Sequence, residues 1–531
     1  MSGRRGVFLV LLLIAIAVAV SFGSLMLLAL AGGAPAPLPS NATLRLQIAT
    51  PLSETPQDDV LSQLSPVPHP TLRSLTNAIR RAATDTRIKG LLFTPQAGSG
   101  LWGQLQEIRE ALVEFKASGK PLTAYLEYGG PQEYYLASAA DRIVLMPAGQ
   151  LDVTGLASYE IFLRGALDKL GVFPDLLHIG DYKTASNTFT EKGFTPAHRE
   201  MTQSLNHDWY DHLVSTIAEA RKLTPAQAAE RLSGGPYLAE AARDAGLVDD
   251  LAYDDQLDDT APIQGTRMLE GRDYLAAGPT LPGPNAGRIA LLYATGTIAS
   301  GRSAAGSGVI GSDTFVEWVR RVRIDPTVKA IVVRIDSPGG SAIASEVMWR
   351  ELSLAREAKP VVVSMGDVAA SGGYYIAAPA DEIVAQPGTI TGSIGIVTGK
   401  YVVDGTLDKL GIGIGTVTDG GMAEIYSPFR PFTPAERARI EDQMHATYDL
   451  FVSRVAEGRH RTTDEIDAIG QGRVWTGRQA KDLGLVDDLG GLDVAIAAAK
   501  RRAKMAPDQG VDLLVYPARR SLYEVLTNPL G

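Results

Sequence analysis

Ser371 stands where a nucleophile could stand. It lies in Asp367-Val368-Ala369-Ala370-Ser371-Gly372-Gly373-Tyr374-Tyr375, after the apolar run Pro360-Val361-Val362-Val363. A β-branched run ending in small residues and then Ser-Gly-Gly predicts a buried strand delivering a serine to a helix N-terminus. There, free backbone N–H groups and the positive end of the helix dipole would favour an oxyanion. The same pattern also arises where a strand and a helix merely pack closely, so the serine means chemistry only with partners. One donor would be the N–H of Gly372, the residue after the nucleophile. The other would come from the pair Gly339-Gly340 in Asp336-Ser337-Pro338-Gly339-Gly340, which follows the predicted strand Ala330 to Ile335. Paired glycines let a backbone N–H approach a bound carbonyl closely.

A base is harder to find. None of the seven histidines falls in a strand-end or glycine-rich context of the second half, and His445 and His460 lie on or just after a long polar helix. The sequence therefore offers no support for a Ser-His-Asp triad. Lysine is the other common base for serine, provided that burial or a cationic field keeps it neutral. Lys183, in His178-Ile179-Gly180-Asp181-Tyr182-Lys183-Thr184-Ala185-Ser186, lies beyond the strand-like Asp175-Leu176-Leu177 in a segment of small and polar residues.

Internal repetition supplies the elements that must position these groups. Leu167-Asp168-Lys169-Leu170-Gly171 recurs 240 residues later as Leu407-Asp408-Lys409-Leu410-Gly411, and Tyr134-Tyr135-Leu136-Ala137 recurs as Tyr374-Tyr375-Ile376-Ala377 at the same shift. Gly246-Leu247-Val248-Asp249-Asp250-Leu251 matches Gly484 to Leu489 at a shift of 238. Two homologous halves follow, residues 41–277 and 288–531, joined at Gly278-Pro279-Thr280-Leu281-Pro282-Gly283-Pro284, where prolines and glycines break both helix and strand. Short β-branched runs alternate with amphipathic segments, which predicts an α/β fold with a parallel sheet in each half. In the second half the strands are Ile289 to Tyr293, Ala330 to Ile335, Val361 to Met365 and Glu382 to Ala385, with a crossover helix from Ala344 to Ala358. The 240-residue shift carries Lys183 onto Ala423 and Ser371 back onto Pro131. One half has the lysine without the serine, and the other the serine without the lysine, as expected if duplication left a single composite site.

Composition narrows the setting. Of 531 residues, 45% are hydrophobic and 21% charged, the balance of a folded protein, and a net charge of −10 argues against a nucleic-acid partner. The absence of cysteine removes disulfides, thiolate metal sites, a cysteine nucleophile and a lipidated N-terminal cysteine. Arg4 and Arg5 precede an uncharged stretch from Gly6 to Gly33, long enough to cross a bilayer and longer than the apolar core of most cleaved leaders. Residues 1–33 are therefore expected to be a cytoplasmic N-terminus and an uncleaved anchor, with the rest of the chain outside the cytoplasm.

Taken together, these motifs resemble the long, two-domain form of signal peptide peptidase A, a family of membrane-anchored serine proteases. The most specific are Asp336 to Gly340, Gly366 to Tyr375, Thr391-Gly392-Ser393-Ile394-Gly395 and Gly180 to Ala185. The resemblance implies two tandem ClpP/crotonase-like repeats after the anchor, with Ser371 as nucleophile and Lys183 as general base. It further implies Ser393 as the hydroxyl that orients the lysine, and Gly372 with the glycine pair, Gly340 preferred to Gly339, as oxyanion donors. The expected substrates are remnant signal peptides and other membrane-derived peptides, cleaved on the periplasmic side of the bacterial inner membrane without metal or cofactor. The expected assembly is a homo-oligomer, a tetramer by family resemblance. After Lys183 the chain reads Thr184-Ala185-Ser186-Asn187 where the family has Ser-Ala and a Pro-Phe pair, which touches only local loop shape. The alternative is a catalytically silent, membrane-tethered scaffold of the same fold. Acyl-CoA chemistry on a related fold would require a cytoplasmic cofactor, and this chain is expected to face away from it.

Overall fold

The computed structural model describes residues 38–56, 70–98, 100–257, 265–278, 283, 285–304 and 307–518, with Gly6, Phe8, 11–18, Val20, Ser21, Gly23 and Ser24 in helical conformation. The remainder of the expected anchor lies outside the described residues, and among those described no helix is long and apolar enough to cross a membrane.

The architecture is α/β. In the first half, the parallel strands Ala42–Ala49, Ile88–Gln96, Leu122–Gly129 and Arg142–Leu151 lie in chain order across one sheet, closed by Arg267–Glu270 beside the first and an antiparallel Tyr237–Leu238 at the far edge. In the second half, Gly287–Thr295, Val328–Ser337 and Val361–Ala370 repeat the arrangement, flanked by Val511–Tyr516 on one side and by Glu382–Ala385, Ile390–Gly392 and an antiparallel Val474–Thr476 on the other. Near-continuous apolar runs such as Ile331-Val332-Val333 and Val361-Val362-Val363 form these strands because helices cover both faces of a parallel sheet. The predicted strands and the crossover helix, here Ala342–Ala358, are all present. The two long helices run Pro196–Arg221 and Pro434–Arg459, each started by a threonine cap followed by proline at the first helical position.

The repeated sequence motifs do the same work in each half. The Tyr134 hydroxyl donates to the carbonyl of Leu247 at 2.7 Å, and the Tyr374 hydroxyl to that of Leu485 at 2.7 Å. Asp249 accepts the N–H of Ile143 and pairs with Arg221; Asp487 accepts the N–H of Ile383 and pairs with Arg459. The repeat thus survives where a buried tyrosine and an aspartate lock helix to sheet.

The halves are joined by buried polar contacts and by a strand pair. Arg334, 1% exposed on its strand in the second sheet, donates to Glu54 at 2.7 and 3.1 Å and to Glu107 at 2.9 Å, both from the first half. Phe173–Ile179 of the first half pairs antiparallel with Ile396–Val402 of the second, Ile179 opposite Ile396. Buried Asp175 on the first of these strands accepts the N–H of Phe432 at 2.7 Å and pairs with Arg437. This strand pair carries the chain from one half straight to the serine of the other.

Candidate active site

Ser371 ends its strand and precedes the helix Gly372–Ala377, with φ +53° and ψ −119°. Few L-residues adopt that conformation, and its cost, of order 1–3 kcal/mol, is borne only where the surroundings enforce it. Here Ser371 N–H donates to the carbonyl of Gly392 at 2.9 Å, and its own carbonyl accepts Tyr375 N–H, also at 2.9 Å.

Lys183 follows the Phe173–Ile179 strand and reaches across the junction. Its Nζ lies 3.1 Å from Ser371 Oγ, 2.9 Å from Ser393 Oγ and 3.0 Å from the Ser393 carbonyl oxygen. A neutral amine has two N–H donors and one lone pair. Ser393 offers two acceptors, and the Ser371 hydroxyl can donate to the lone pair. Lys183 is 4% exposed, and burial alone lowers it from the usual lysine range to about 8. Ser393 is itself fixed, at φ +54°, by donating its N–H to the carbonyl of Arg473 at 2.7 Å.

Two glycines make this approach possible, one in the Gly180 to Ala185 motif and one, Gly472, not singled out from the sequence. Gly180 has φ +96°, and a Cβ there would lie 2.3 Å from the backbone of Gln471. Gly472 has φ +78°, and a Cβ there would lie 2.4 Å from Lys183 Cβ. Between them, Tyr182 N–H donates to the carbonyl of Gln471 at 2.9 Å. The Gly-Gln-Gly run at Gly470 to Gly472 was the available signal. Replacing Gly472 by valine is expected to displace Lys183 and lower kcat by about 100-fold, since misplacing a reacting group by about 1 Å costs that much. Peptide-hydrolysis kinetics on the folded variant check this; an unchanged kcat would show that the loop does not set the lysine.

The two glycines of the pair differ in their hydrogen bonds. Gly339 N–H donates to Ser337 Oγ at 3.1 Å, and the Gly339 carbonyl accepts Ile298 N–H at 2.8 Å. The N–H groups of Gly340 and Gly372 have no acceptor among the described residues, and a Cβ on Gly372 would lie 3.3 Å from Gly340 N. Gly340, at φ +150°, has no room for a side chain, because a Cβ would meet the Ile298 carbonyl oxygen at 2.1 Å. The donors therefore flank the serine. They open on a cleft of about 360 Å³ whose apolar walls include Tyr375, Ile396, Val397, Ile440, Met444 and Phe451.

The other residues considered from sequence lie elsewhere. Among the described residues no histidine lines this cleft; His178 and His445 line a separate one, and His212 meets Tyr135 Oη at 3.1 Å. Pro131 opens the helix Pro131–Ala137 at the position equivalent to the serine, and Gln132 Nε2 donates to the carbonyl of Gly100 at 2.7 Å. Ala423 sits in an exposed turn.

A serine at a strand-to-helix turn, beside a buried amine and two open backbone donors, defines a serine hydrolase by its chemistry. The family model described as Peptidase family S49 matches residues 114–264 and 353–506. The chloroplastic serine protease SPPA of Arabidopsis thaliana is 35% identical over 84% of this chain and 67% of its own length. Protease 4 of Salmonella typhi is 38% identical over 82% of this chain and 72% of its own. A solved membrane-bound stomatin-specific protease covers 44% of this chain and 99% of its own, at 15% identity and a TM-score of 0.28. The chain belongs to peptidase family S49, in the long form typified by signal peptide peptidase A, and it is a serine peptidase.

Proposed function

We propose that the chain hydrolyses peptide bonds with Ser371 as nucleophile and Lys183 as general base, one from each half. The observation that carries this reading is the buried, carboxylate-free contact of Lys183 Nζ with Ser371 Oγ at 3.1 Å. Lys183 takes the hydroxyl proton as Oγ attacks the scissile carbonyl carbon. The N–H groups of Gly340 and Gly372 receive the oxyanion, and Ser393 holds the amine in line. The protonated lysine then returns its proton to the leaving amine, and water repeats the sequence on the acyl-enzyme. The two repeats, residues 41–277 and 288–531, would each be a ClpP/crotonase-like domain, the first supplying the lysine and the second the serine.

Substrates in this reading are apolar peptides, above all remnant signal peptides released into the membrane. The apolar walls of the cleft support it. So does the uncharged stretch from Gly6 to Gly33, which as a single-pass anchor would hold the catalytic halves on the periplasmic side of the inner membrane. A homo-oligomer, a tetramer by family resemblance, is supported by unpaired counterparts of the joining strands. The 240-residue shift maps that pair onto residues 156–162 and 413–419, where Tyr159 and Val417 are 90% and 99% exposed. A strand from a second copy would cover them.

A fluorophosphonate added to the detergent-solubilised protein is expected to label it stoichiometrically, with the adduct mapped to Ser371. An unlabelled protein would return the chain to the scaffold reading.

A further inference from the structure

We propose that Asp367 is a positioning residue for Ser371, one that ties the strand carrying the nucleophile to the opposite half; this rests on the role of Ser371 proposed above. The strand is not regular. Ile335 pairs with Met365 and Ser337 with Ala369, so Asp336 alone faces Gly366, Asp367 and Val368. On its other side the strand changes neighbour at the same place, from Glu382–Ala385, which it leaves after Ser364, to Ile390–Gly392, which it joins at Val368. A bulge of this kind frees backbone groups from the ladder and re-aims the residues that follow. Ser371 follows by four positions.

Side chains fill the bulge. Asp336 Oδ1 accepts Val368 N–H at 3.0 Å, and Thr389 Oγ1 donates to the carbonyl of Gly366 at 2.7 Å. Asp367 turns out of the sheet, and its Oδ1 accepts Gln104 N–H at 2.8 Å. Gln104 is in the first turn of the helix Trp102–Ala117, whose own cap residue, Leu101, has no side-chain acceptor. A carboxylate of the second half therefore caps a helix of the first, which favours an acceptor at that end. Gly103 makes the approach possible, since a Cβ there would lie 2.9 Å from Asp367 Oδ1 and 3.0 Å from the Gly366 carbonyl oxygen.

The half without the serine lacks this device. Register places Leu122 where the second half has Val361, so the positions equivalent to Asp336 and Asp367 are Gln96 and Tyr128, both exposed. Asp367 is faced by Asp336, Glu54 and Arg334 as well as by the Gln104 N–H, and its burial pushes the carboxyl up to about 7. An uncharged acceptor of the same shape would therefore serve in its place.

The test compares wild type, Ser371→Ala, Asp367→Ala and Asp367→Asn with a signal-like peptide and, separately, by the rate of Ser371 acylation by a fluorophosphonate. Asp367→Ala is expected to lower kcat and the acylation rate by about tenfold or more with KM within about twofold, because it moves the nucleophile and not the cleft. Asp367→Asn, which keeps the acceptor, is expected to hold kcat within about threefold of wild type. A kcat for Asp367→Ala within about twofold of wild type, a loss confined to KM, or an Asn variant as slow as the Ala variant would each overturn the proposal. If Asp367→Ala does not fold, Gly103→Ala takes its place, with the same loss of kcat expected and an unchanged kcat overturning it. Activity in Ser371→Ala would refute the nucleophile itself, whereas an inactive Ser371→Ala beside a normal Asp367→Ala refutes only the positioning role.

Discussion

Ser371→Ala is expected to reduce peptide hydrolysis by about 10⁴-fold or more, the scale on which removal of a covalent nucleophile acts. The fold should survive, because alanine and serine meet the same backbone constraint at φ +53°. Ser371→Gly should be equally inactive but more stable. Relief of a left-handed conformation is worth of order 1–3 kcal/mol, against about 0.5–1 kcal/mol for the extra freedom of glycine in the unfolded chain, so relief wins. Turnover of a signal-like peptide and thermal melting of the three proteins measure both effects. Hydrolysis by the Ala variant near the wild-type rate would remove Ser371 from the chemistry.

Lys183 is expected to be nearly as sensitive. Lys183→Ala should lower kcat by about 10²–10⁴-fold through loss of the base. Lys183→Arg should do no better, because a guanidinium stays protonated at accessible pH and its planar fork does not fit a site built around one nitrogen. Retained hydrolysis in Lys183→Arg would send the search for a base elsewhere. Point variants are a cleaner test than separated halves. A fragment beginning at Arg288 would leave Arg334 without Glu54 and Glu107 and uncover the surface that joins the halves, so its inactivity would not separate lost chemistry from lost folding.

How much of this was legible in the sequence follows from where each signal lies. The strand and turn at Ser371 are local, so composition and spacing sufficed to read them. The repeat was legible because the buried Tyr134 and Tyr374, and likewise Asp249 and Asp487, make identical hydrogen bonds in the two halves. Lys183 could be read through the complementary loss at Ala423 and Pro131 and through the family motif Gly180 to Ala185, since composition alone does not distinguish its segment from one with a solvated lysine. The contacts between halves were not legible. Arg334 looks like an ordinary charge interrupting an apolar strand, and its partners lie 280 and 227 residues away. The antiparallel pairing of Phe173–Ile179 with Ile396–Val402 joins two strands with no turn between them to announce it. Asp367 lay inside the recognised motif, but its partner is a backbone N–H of the other half, invisible to any reading of side-chain types. What separates Gly339 from Gly340 is a single hydroxyl, Ser337 Oγ, which occupies the N–H of the first.

The central claim is that a neutral Lys183 activates Ser371, and the pH dependence of acylation tests it most directly. Ser371 attacks only when the lysine can accept a proton, so the reactive fraction grows as pH rises through the lysine's titration. With that titration lowered by burial to about 8, the rate of fluorophosphonate labelling at pH 7 should be about a tenth of its plateau. The predicted result is a single ascending limb centred near pH 8 in the wild type, with the limb absent and the residual rate low in Lys183→Ala. A rate independent of pH, a limb centred in the histidine range, or the same limb persisting in Lys183→Ala would contradict the account.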